Sequence, residues 1–142
     1  MEQKSKSPLA LMEQAIMILV FAFAAALCMQ AFVKADSLSK GLEARDRAVN
    51  ISQTVAETVK ALDGDLGLAA KALGGAVRDE ELLLYYNKEW IAVEETEAVY
   101  RLRLVCVETG RYLTKSEISV EALKDGEELF RLPVSWQEVS HE

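Results

Sequence analysis

The chain has 142 residues and a net charge of -7, which leaves room for one modest domain beside any membrane segment. Residues 76–142 alone carry eight basic and fifteen acidic groups and so supply the whole net charge. Such an acidic half excludes a nucleic-acid surface, which needs Lys and Arg gathered together, and an anionic lipid surface for the same reason. Two cysteines, Cys28 and Cys106, show no metal-ligand spacing, and the single histidine, His141, is the penultimate residue.

In chain order, a short basic leader comes first (residues 1–8, with Lys4 and Lys6). The stretch PLALMEQAIMILVFAFAAALCMQAFV follows, uncharged after Glu13 until Lys34. Leu9–Val33 is 25 residues long, and at about 1.5 Å per residue a helix of that length crosses the roughly 30 Å hydrocarbon core. A buried core helix is the competing reading, but so small a domain could hardly cover a helix that is apolar all round. Cleavage as a signal peptide near Val33-Lys34-Ala35, before Asp36, is a further alternative. Glu13 and Gln14 beside the apolar run are unusual for one. A short tail inside and a head outside is the orientation expected, although Lys34, Lys40, Arg45 and Arg47 after the span weaken the charge argument.

Residues 34–75 come next. Leu38, Leu42, Val49, Ala56, Val59 and Leu62 recur as one helical stripe, and no proline interrupts Val33 to Leu62. One continuous helix from about Leu9 to Leu62 is expected, apolar in its first half and amphipathic in its second. The alternative is two helices hinged near Asp36–Gly41. Asn50-Ile51-Ser52 matches a glycosylation sequon but falls within this helix. Asp63-Gly64-Asp65 stops the helix, Leu66–Leu73 forms a short second one, and Gly74-Gly75 ends it.

Residues 76–142 read as strands. LLLYY (82–86) and WIAVE (90–94) flank a turn at Asn87-Lys88-Glu89. In Ala98–Glu108, Tyr100, Leu102, Leu104 and Cys106 share one face while Arg101 and Arg103 share the other. Ser116, Ile118, Val120 and Ala122 alternate with polar residues, Asp125-Gly126 marks a hairpin, and Phe130, Leu132, Val134 and Trp136 share a face. Pro133 lacks an amide hydrogen, which suits an edge strand. The expected fold is α+β: a long membrane-spanning helix that continues as an amphipathic helix packed on an antiparallel meander of four or five strands. Leu42, Val49, Ala56 and Val59 would form the contact.

This layout resembles type IV pilins and type II secretion pseudopilins. The residues that carry the resemblance are the basic leader, the long apolar helix, and Glu13, which is fifth in L-A-L-M-E if Leu9 begins the mature chain. The strands YRLRLVCV and LFRLPVSW are similar to those of small minor pilins. The resemblance implies a fibre or pseudopilus subunit whose helix packs among sister helices. It implies that Glu13 pairs with a neighbour's free amino group and sets axial register, offsetting the few kcal/mol that a carboxylate costs in hydrocarbon. It also makes Pro8–Leu9 the processing site. The family's peptidase normally cuts after glycine, and Pro8 stands there, so an uncut chain is the alternative. A Glu13 merely solvated among headgroups is the other reading of that residue.

The carboxylates at Asp79-Glu80-Glu81, Glu94-Glu95, Glu97 and Glu127-Glu128 fall in turns and at strand ends, where solvation is their ordinary role. No phosphate loop, serine-hydrolase elbow or Cys/His pair is present. A non-enzyme is expected, with no cofactor, no metal and no small-molecule substrate. Its partners would be membrane lipid and other pilin-like subunits. A stand-alone single-pass protein with a tethered extracytoplasmic binding or sensor domain is the second reading. Trp90, Trp136 and the tyrosines are expected in the core and in cross-strand pairs.

Overall fold

Fifty-six consecutive residues, Lys6–Ala61, form helix α1, so the sequence without proline between Val33 and Leu62 does continue through Asp36–Gly41 as helix rather than as a hinge. The structure, a computed structural model, describes residues 6–137 and the side chains from Ser7 onward; Lys4 of the leader and His141 lie outside the described residues. Pro8 is tolerated because amides in a first turn have no intrahelical acceptor to lose. The chain divides into two compact units, Met1–Leu42 and Glu43–Glu142. The first contributes only α1.

In the second unit, α1 ends where Asp63 adopts φ 53° and Gly64 φ 82°. The Gly64 amide then donates to the Val59 carbonyl (2.9 Å) and the Asp63 amide to that of Lys60 (3.2 Å). That is the reciprocal pair by which a left-handed residue closes a helix. The Asp65 carboxylate accepts from the Leu68 amide (2.9 Å) and caps α2, Leu66–Leu73. Gly74, at φ 74°, ends α2.

Five strands follow: β1 Ala76–Arg78, β2 Glu81–Tyr86, β3 Tyr100–Thr109, β4 Thr114–Ala122 and β5 Glu128–Trp136. They form one antiparallel sheet in sequence order, the expected meander. Register places the apolar residues in rows on one face. Tyr86, Tyr100 and Ala122 form the first row; Leu84, Leu102, Val120 and Phe130 the second; Leu82, Leu104, Ile118 and Leu132 the third. Ser116 and Val134, then Thr114 and Trp136, complete the face. Pro133 lies on β5, an edge of the sheet, as its missing amide requires.

Three details depart from the sequence reading. Residues 90–94 do not form a strand; only Ala92 bridges to Tyr86. The reason is local: Trp90 is left-handed (φ 61°), and the Asn87 side chain accepts from the amides of Glu89 and Ile91 (both 3.0 Å), which holds the chain in a loop. β1, with its burial-free pattern, had no sequence signal and supplies the fifth strand instead. Finally, the helix face on the sheet consists of Ala48, Ser52, Val55, Ala56 and Val59, all buried, with Ile51 and Leu62 partly covered. Leu42 is 56% exposed and Val49 only half-buried. The side chains at 48, 52 and 56 are small and fully or nearly fully buried, which suits a face packed against the leucine rows. Full burial of Leu82, Leu84, Leu102, Leu104 and Ile118 stabilises this unit by about 1.5–3 kcal/mol each before entropy is counted.

Candidate functional site

The feature most in need of an environment is the helix of the first unit. Among the described residues one helix, Ser7–Ala61, is long and apolar enough to cross a membrane, with a mean hydropathy of 2.5 in its most apolar window. None of that window is covered by the rest of the protein. Phe21, Phe23 and Phe32 are 77%, 69% and 81% exposed, an arrangement that water disfavours and lipid or sister helices accept. Pro8, Leu9 and Glu13 all lie in the first turns of α1 and are exposed. Leu9 and Glu13 are one helical turn apart and therefore lie on one side of the helix. The Asn50 sequon is helical, and its Ser52 is fully buried.

In the second unit, the sheet face away from α1 carries an ion-pair ladder. Arg101 pairs with Glu121 across β3 and β4, and Arg103 with Glu81 (3.8 Å). Arg131 lies between Glu117 and Glu128 (2.6 Å each), and Lys115 pairs with Glu108 (2.7 Å). The ammonium of Lys115 holds the Glu108 carboxyl below its ordinary range, and the Arg131 guanidinium does the same for Glu128. The hydrogen bond from Arg101 to Glu121 raises the guanidinium's own pKa. Every arginine of this face is thus neutralised locally, which leaves no field to draw an anionic polymer.

The remaining carboxylates sit in turns. Asp79 and Glu80 occupy the β1–β2 turn with φ 51° and 64°, and Glu95 accepts from Arg78 (3.3 Å). Among the described residues no group of three or more His, Cys, Asp or Glu could hold a metal ion. Both cysteines are free and exposed; the Ser116 hydroxyl donates to Cys106 Sγ at 3.4 Å.

Three aromatic residues gather at one end of the sheet. Trp90 stacks on Tyr100 with centroids 4.1 Å apart and planes 7° from parallel, and Tyr86 lies 6.1 Å from Trp90 at 40°. Burial raises the Tyr86 phenol above its ordinary pKa. The stack closes the end of the core, and Trp136 is buried as expected, but Tyr112 is 68% exposed on the β3–β4 hairpin rather than in the core, because the turn carries it beyond the covered face. A tryptophan with a left-handed backbone has no sequence signature, and the double acceptor Asn87 is its only trace.

No protein-family model matches the chain, nor does any curated protein or solved structure match it.

Proposed function

We propose that this chain is a pilin-like structural subunit of a type IV pilus or a type II secretion-like pseudopilus. Its apolar helix anchors it in the cell membrane with the amino terminus cytoplasmic and the β head extracytoplasmic. The observation that carries the reading is the uncovered apolar helix, which continues without a break into the helix that roofs an antiparallel sheet. A chain built only to tether a domain has no need of that continuity, because a flexible linker serves as well. In a fibre, the helix would pack among sister helices, and Ala22, Ala24, Ala25 and Ala26 allow them to approach closely. Glu13 would meet the free amine of a neighbouring Leu9. The head is structural rather than catalytic in this reading, with lipid and like subunits as its partners.

The deciding experiment is the mature amino terminus of protein isolated from native membranes, measured by mass spectrometry. A chain that starts at Leu9 supports processing and the assembly role. A chain that starts at Asp36 is a secreted domain, and the proposal fails. An intact Met1 favours the second reading, a single-pass tethered binding or sensor module with Glu13 at the headgroups.

A further inference from the structure

The head has two unlike ends. At one end, the first core row (Tyr86, Tyr100, Ala122) is followed by the loops 87–99 and 123–127, tied together by the Leu123 amide donating to the Val99 carbonyl (2.9 Å). Those loops carry six carboxylates, one of them (Glu95) paired with Arg78, against Lys88 and Lys124. Among the charges, Ile91 is 61% and Leu123 38% exposed. At the opposite end is the β3–β4 hairpin, whose last rung is Thr109–Thr114. Val107 and Tyr112 are 67% and 68% exposed there, and Leu113 40%. Arg111 is exposed beside them and forms no ion pair among the described residues, whereas Glu108 is occupied by Lys115.

We infer that the hairpin tip of one copy docks on the acidic loop end of another. The occupant is a second copy of this chain, because the two ends of one head complement each other: an apolar tip carrying Arg111, which forms no ion pair among the described residues, meets the exposed side chains of Ile91 and Leu123 in loops rich in carboxylates. The two patches differ and lie at opposite ends, so the contact is heterologous and repeats along a line rather than closing a pair. Neither sheet edge competes with this direction. β1 is three residues long, and β5 is interrupted by Pro133. The inference rests on the assembly reading above and names how the heads would meet within it.

The test is disulfide trapping in the full-length protein in its native membrane or fibre, with Cys106 and Cys28 both replaced by serine. Tyr112→Cys and Leu123→Cys are introduced together and separately, and each variant is oxidised. Val107→Cys with Ile91→Cys is a second pair, so that one poorly placed thiol does not decide the result. The expected result is a ladder of linked head multimers from either double variant and none from a single one. Arg111→Glu should reduce the ladder about tenfold, and Asp125→Lys should restore it. A dimer from Tyr112→Cys alone means tip-to-tip pairing and overturns the inference, as does the absence of a ladder from both pairs. Linkage through Cys28, measured in a separate chain that keeps Cys28, has Cys106 replaced by serine and carries no introduced cysteine, distinguishes the two failures. If the helices link but the heads do not, the docking fails while assembly stands; if neither links, both fall.

Discussion

Gly64 is the position where a single methyl group tests both the end of α1 and its packing. Its φ is 82°, a conformation that costs an alanine about 1–2 kcal/mol. A Cβ there would also lie 2.9 Å from Trp136 Cε2 and closer still to the indole nitrogen. Trp136 is 7% exposed and fills the last core row, so it cannot yield freely; overpacking of this kind costs about 1–3 kcal/mol. Gly64→Ala should therefore lose about 2–5 kcal/mol. Gly126→Ala is the control, because its φ is 71° and nothing lies within 4 Å of the added carbon. It should lose only about 1–2 kcal/mol. The assay is thermal unfolding of the full-length protein in detergent, followed by near-ultraviolet circular dichroism of Trp90 and Trp136. One kcal/mol corresponds to about 4–8 °C in a domain of this size. A Gly64→Ala melt within about 2 °C of the Gly126→Ala melt would refute the close approach to Trp136.

The Ser52 hydroxyl is buried with no hydrogen-bond partner among the described residues. Ser52→Ala should stabilise the head by about 0.5–1.5 kcal/mol through removal of that group and better helix propensity, and a lower melting temperature would contradict this. In the β1–β2 turn, Glu80 has φ 64°; Glu80→Gly should raise the denaturant midpoint by about 1 kcal/mol equivalent at unchanged slope. At Gly75 an added Cβ would meet the Leu83 carbonyl oxygen at 2.6 Å, so Gly75→Ala should fail to express as folded head or melt much earlier than wild type. Acid should weaken the head modestly. Glu108 and Glu128 have carboxyls held below the ordinary range, so their contribution is complete above the unfolded pKa. It fades as pH falls through the lowered folded value, below about pH 4. Replacing Lys115 and Arg131 by methionine should flatten that limb of the stability profile, and an unchanged limb would show that these exposed pairs contribute nothing.

Much of this protein was legible before any coordinates. A run of 25 residues whose polar members are only Glu13, Gln14 and Gln30 reads as a helix long and apolar enough to cross a membrane, because length and composition are local properties. The Asp63–Asp65 stop, the bounds of α2 and the edge position of Pro133 follow equally from single residues whose backbone or hydrogen-bonding capacity is restricted. Alternation in β3, β4 and β5 was readable because a half-buried sheet imposes a period of two. Glu13, Pro8 and Leu9 could be picked out by type and spacing, and the structure puts them in the first turns of an uncovered helix.

Tertiary structure decided what depends on a partner surface. In the second half of α1, several stripes are apolar enough to face a sheet, and the leucine rows selected the one with small residues at 48, 52 and 56 over the one through Leu42 and Val49. WIAVE has the composition of a strand, yet Asn87 and the Trp90–Tyr100 stack hold it as a loop. The three residues of β1 pair only because β2 offers them a free edge. Helix length, caps and strand period are set by each residue and its near neighbours in the chain. Which face is covered, and which strand-like segment pairs, is settled by competition between surfaces that meet only after the chain has folded.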